Sequence, residues 1–281
     1  GKFIPVLNAL DSSDPERLRS DPGLFLPKLS ALIFSRQFEK ARMCLEDIRY
    51  CNQCEGCPDH IPELLRYMER VLALFQDDTA LILDAEAFRN GELPTLDTRD
   101  SSLALSARYH LLNGECEDAI RLARQARLLL DQINHEYLVC FADVIQILAE
   151  RELGHILAAR QMTQDLWDRH GAQPKTPCWV NAGTCMAVSL YEQNRVPEAR
   201  ELCDALIQQV DSACSTEIVF NVYVTLARLQ YIAGHHARGV QLLMQLRRIL
   251  RQGRYRRLLN QLLAEELAHA LRSGQAATIK G

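Results

Sequence analysis

The chain has 281 residues, 48% of them apolar and 24% charged, with a formal net charge of −4 and a pI near 6.1. That composition suits a packed soluble body and offers no global attraction to nucleic acid or to an anionic membrane. No run of about eighteen apolar residues occurs and no basic-then-apolar leader opens the chain, so the expectation is a cytoplasmic chain without membrane contact.

The first 98 residues are expected to form a helical arm of two degenerate helix pairs. In the first, Arg36 stands at a turn, with Leu29 seven residues before it and Ala41, Cys44 and Ile48 after it. In the second, helices over 61–75 and 79–89 flank a turn at Gln76-Asp77-Asp78. The segment 90–100 has no apolar period and contains Gly91 and Pro94, so it reads as a connector.

From residue 99 to 281 the pattern repeats every 40 residues. Gly114, Gly154, Asn194 and Gly234 mark turns, with Ala119, Ala159, Ala199 and Gly239 five residues later. Seven residues before each turn stand Ala107, Ile147, Ala187 and Ala227, and eight after come Leu122, Met162, Leu202 and Leu242. Gly or Asn at a turn supplies positive φ at a helix C-terminus, and a small residue lets two helices cross closely beside that turn. Each unit therefore reads as two antiparallel helices, and the array as a stack of such pairs. Pro174 and Pro177 place a loop over 172–177. A fifth turn falls on Gly274, and the chain, which opens at Gly1 rather than Met, is expected to be a fragment.

A small residue before the turn, Gly at it and Ala five later resembles the tetratricopeptide (TPR) signature, lengthened to 40 residues and lacking the usual Trp. The resemblance implies an all-α, right-handed superhelix. The stretch Asp21-Pro22-Gly23-Leu24-Phe25-Leu26, with Ala31-Leu32 and Phe38-Glu39-Lys40-Ala41-Arg42 behind it, is similar to the start of the arm in MalT-type regulators, the large ATP-binding members of the LuxR family. That resemblance implies the effector-sensing and protein-interaction region of a bacterial transcriptional activator. Its partners would be a small-molecule or peptide effector and a regulatory protein or its own ATPase module. It would control self-assembly into a homo-oligomer and reach DNA only through a helix-turn-helix outside the fragment. No phosphate loop and no helix-turn-helix pattern occurs within the chain. A free-standing TPR scaffold and a Rap-type peptide receptor are the alternatives.

The chain offers no catalytic constellation: its histidines are scattered, and no His-Glu-x-x-His or Gly-x-Ser-x-Gly occurs. The expectation is a non-enzyme with no cofactor and no metal. Most of the ten cysteines fall within helical patterns, as reduced, small apolar residues. Cys51, Cys54, Cys57 and His60 have the types for zinc but crowd one short run, where a helix end with incidental thiols is the preferred reading. The candidate binding surface is the concave face lined by the first helix of each pair. There Arg108, Arg151, Asn181, Tyr191, Asn221, Arg228 and Tyr231 are the expected ligand contacts. Tyrosine gives contact area, amides give orientation, and arginine favours a carboxylate or phosphate. The run Arg247–Arg257, and within it Arg247, Arg248, Arg251 and Arg254, is the expected partner contact, in preference to nucleic acid.

Overall fold

The computed structural model describes residues 3–12, 14–51, 60–76, 99–210 and 215–272, and these are helical with no strand among them. The arm contributes α1 (Phe3–Asp11), α2 (Pro15–Ser20), α3 (Pro22–Phe34), α4 (Phe38–Cys51) and α5 (His60–Phe75). The array begins with α6 (Arg99–Leu112), α7 (Cys116–Gln132), α8 (Glu136–Glu152), α9 (Ile156–His170) and α10 (Pro177–Glu192). It continues with α11 (Val196–Leu206), α12 (Thr216–Ile232), α13 (His236–Gln252) and α14 (Arg256–Arg272). Two expected boundaries move. Helix α6 starts inside the expected connector, and Pro177 is not in a loop but opens α10. The reason is local: the Thr176 hydroxyl accepts the Trp179 N–H at 3.1 Å, and proline suits a first helical turn, where its missing N–H has no partner to lose. The expected helix over 79–89 lies outside the described residues. No described helix is long and apolar enough to cross a membrane.

The four array turns expected within the described residues close in the same way, whereas Asp77 and Asp78 of the expected arm turn and the expected turn at Gly274 lie outside those residues. The N–H after the turn residue donates to the carbonyl five residues back: Glu115 to His110 (2.9 Å), His155 to Glu150 (2.8 Å), Arg195 to Leu190 (2.9 Å) and His235 to Gln230 (2.9 Å). This closure needs a left-handed residue, and φ is +78° at Gly114, +77° at Gly154, +60° at Asn194 and +78° at Gly234. Arg36 in the arm behaves alike, with φ of +60° and Gln37 N–H donating to Leu32 at 2.8 Å. The turns between pairs use the same device at Asn134 and Arg254, with φ of 55° and 59°, and Lys175 is likewise left-handed, with φ of 70°, without that closing bond. The backbone thus repeats at about half the period visible in the residue types.

Helices α6, α8, α10, α12 and α14 touch one another in sequence and form a wall, while α7, α9 and α11 each pack across two neighbours of it. Burial follows from this. In α10 every residue from Pro177 to Leu190 is buried, whereas α9 buries one stripe, Ala159, Thr163, Leu166 and His170. Ala119, Ala159 and Ala199 are buried at the crossings. At the fourth crossing the residue is Gly239 because a Cβ there would fall on the Tyr231 ring.

The wall curves enough to bring α6 to α12, where Arg108 Nη2 donates to both carboxylate oxygens of Glu217 at 3.0 Å. The arm lies against it. Phe3 and Phe34 flank Tyr137 of α8 at 5.3 and 5.6 Å, and Phe75 stacks on Phe141 at 5.9 Å. Further along, Arg36 donates to the Val210 carbonyl at 3.3 Å and Phe38 meets Tyr255 edge-on at 6.2 Å.

Candidate binding cleft

Where the arm does not cover the wall, a cleft of about 600 Å³ remains. Its sides are the C-terminal ends of α6, α8 and α10 and the first turns of α12 and α14. Leu111, Leu112, Leu148, Phe220 and Leu258 give it an apolar floor, and Arg151, Glu152, Glu192, Glu217, Asn221, Arg257 and Gln261 give it polar groups. The side chains enter from helix ends because each pair breaks at its left-handed turn, exposing the last residues of one helix beside the first of the next. Arg151 near the end of α8 and Glu217 in the first turn of α12 also match the sign that a helix end prefers.

The charges are arranged in internal pairs. Arg151 Nη2 donates to Glu192 Oε1 at 2.5 Å, joining α8 to α10. Glu217 is held from two sides, by Arg108 and by Arg257, whose Nη2 lies 2.5 Å from Oε1. Burial pushes the Glu217 carboxyl up, but the two guanidinium groups outweigh it and hold it below the ordinary carboxylate range. The cleft lining therefore carries two cations and three carboxylates rather than a field of free arginines.

Of the seven expected contacts, Arg151 and Asn221 line this cleft. Arg108 is 3% exposed, bonded to Glu217 and 5.0 Å from the Phe75 ring centre, so its role is internal. Arg228 makes a two-bond pair with Glu265 at 2.8 and 2.6 Å and lies 5.8 Å from the Tyr191 ring centre. Tyr231 is pressed between Gly239 and His269, stacking on that imidazole at 3.3 Å, and burial raises its hydroxyl to about 12. Asn181 is 2% exposed and turned toward Cys140, away from the cleft, because α10 is enclosed on all sides and has no solvent-facing phase for it to occupy.

Within the arginine run, Arg247 pairs with Glu266 of α14 and Arg257 with Glu217. Arg248, Arg251 and Arg254 are exposed. Glu39 of α4 is held below its ordinary range chiefly by Arg42 and also by Arg254, which places that arginine's charge at the seam with the arm. Cys51 ends α4 and is exposed, whereas Cys54 and Cys57 fall outside the described residues, as does the His60 side chain.

Glu217, Arg257, Gln261 and Phe220 were not among the expected contacts. Glu217 precedes the phase assigned to the inward face by one turn, and the acid partners of Arg257 and Arg247 lie 40 and 19 residues away, beyond any local charge count. No protein-family model matches this chain, and neither a curated protein nor a solved structure matches it.

Proposed function

We propose that the chain is a non-catalytic recognition module that takes a short peptide, or another small ligand carrying both charges, in the cleft at the ends of α6, α8, α10, α12 and α14. The observation that carries this reading is the alternation of Arg151, Glu192, Glu217 and Arg257 around an apolar floor. A ligand with an ammonium and a carboxylate exchanges partners with such pairs without leaving a buried charge alone, which a purely anionic ligand would do. The repeat architecture supports the reading, since arrays of this kind expose extended binding surfaces. On the resemblance of the repeats and of the 21–42 stretch, the module belongs to a MalT-type activator, as a right-handed TPR-like superhelix that senses the effector in the cytoplasm.

The test uses the immobilised chain and a pool of short peptides. A discrete set retained by the wild type and lost with Asn221→Trp, at unchanged melting temperature, supports the cleft; equal retention by both sinks it. The finer reading is tested by the coding sequence around this segment, which should carry a phosphate loop upstream and a helix-turn-helix downstream.

A further inference from the structure

Three buried donor side chains from three consecutive helices meet within the array. Cys140 lies in α8, His170 ends α9 and Cys178 opens α10, and they are 0%, 5% and 2% exposed. One donor atom from each lies within 4.8 Å of the other two. Neither ring nitrogen of His170 has a hydrogen-bond partner among the described residues. The Glu136 carboxylate stands 3.6 Å from Nδ1, beyond hydrogen-bond reach. Asn181, one turn after Cys178, is also buried, with Nδ2 4.0 Å from Cys140 Sγ and no hydrogen-bond partner for Oδ1 among the described residues.

An apolar core has no use for this grouping. Leaving a buried polar group unbonded is destabilising, and here an imidazole and an amide oxygen both go unbonded beside two thiols. The α9–α10 connection runs over 171–176, six residues, whereas the α7–α8 connection over 133–135 has three. The longer connection constrains the two helices less, at the point where the donors converge.

We propose that Cys140, His170 and Cys178 bind a zinc ion that pins α8, α9 and α10 together, with the Asn181 side chain, whose Nδ2 faces Cys140 Sγ, turning its unbonded Oδ1 to the fourth position. Two thiolates and a neutral imidazole suit this borderline-soft cation, and the two thiolate charges cancel its own, so the complex enters a dry interior without net charge. Binding displaces one proton from each thiol, and no electron is transferred. Bond lengths of about 2.0–2.3 Å imply donor separations of about 3.3–3.8 Å, so the cluster closes by no more than about 1.5 Å on loading. With Nε2 on the metal, a small closing shift would bring Glu136, now 3.6 Å away, into reach of an Nδ1–H donor, the orienting role that outer carboxylates play in zinc sites. The spacing of 30 and 8 residues between the ligands explains why no motif announced them.

The chain, reduced, equilibrated with zinc and freed of excess metal, should retain one zinc by elemental analysis. Cys54→Ser should keep it, which separates this site from the Cys51–His60 run, while Cys178→Ser and His170→Ala should lose it. Cobalt added to the wild type should give thiolate-to-metal absorption in the near ultraviolet and the strong visible bands of tetrahedral coordination, a readout that stands even where a variant fails to fold. The site is overturned by full zinc retention in folded Cys178→Ser, or by a wild type with neither zinc nor the cobalt–thiolate absorption. A Cys140–Cys178 disulfide that persists under reductant also overturns it.

Discussion

The wall of first helices and the layer of second helices solve the same packing problem in opposite ways. Helices α8 and α10 are buried over most of their surface, while α9, α11 and α13 bury a single stripe and leave the rest to water. The second helices look as an exposed repeat helix should. The first helices do not, and at α8 the reason is that the arm covers part of the free side through Phe3, Phe34 and Phe75. A surface that an array leaves open to ligands is here partly occupied by the same chain, and the proposed recognition is confined to the uncovered helix ends.

The largest effect expected from breaking that difference is at Phe75. It is 1% exposed, stacks on Phe141 and lies beneath Arg108, so Phe75→Ala should cost about 3–5 kcal/mol in denaturant unfolding. Next comes the clamp. Glu217→Gln leaves Arg108 buried without its counter-charge and should cost about 3 kcal/mol. The sign of its pH dependence follows from the lowered carboxyl. The stabilisation is present above the unfolded glutamate value of about 4.3 and is lost as pH falls through the lower folded value. Acid melts of wild type and Glu217→Gln should therefore converge below that window, and curves that stay parallel would remove the clamp from the account.

Smaller effects sharpen the contrast at the crossings. Gly239→Ala should destabilise by about 1–3 kcal/mol, although alanine is the better helix former, because the Tyr231 ring stacked on His269 has nowhere to go. The penalty should largely vanish in a Tyr231→Ala background. The smallest is at the turns, where Gly154→Ala should cost about 1 kcal/mol by forcing a Cβ into left-handed backbone with no steric neighbour involved.

The sequence made the helix pairs legible because three of the four within-pair turns carry glycine and the fourth asparagine, the residues that left-handed backbone favours. The between-pair turns stayed hidden because Asn134, Lys175 and Arg254 hold the same conformation without forming a residue pattern. Arg151 and Asn221 fall on the cleft lining because the inward phase is set by the turn. Asn181 was misplaced because an enclosed helix has no amphipathic phase to read, and Glu217 was missed because its partners are 109 and 40 residues away. The arm's position on the wall was not legible at all, since an aromatic such as Phe75 does not specify what it covers.

That position is the central claim, and a double-mutant cycle between Phe75→Ala and Phe141→Ala tests it most directly. Rings stacked 5.9 Å apart across the seam should show a coupling of about 1 kcal/mol beyond the sum of the single effects. Effects that add to within about 0.3 kcal/mol would mean that the arm does not rest on the wall, and the whole inner face would be open to ligand.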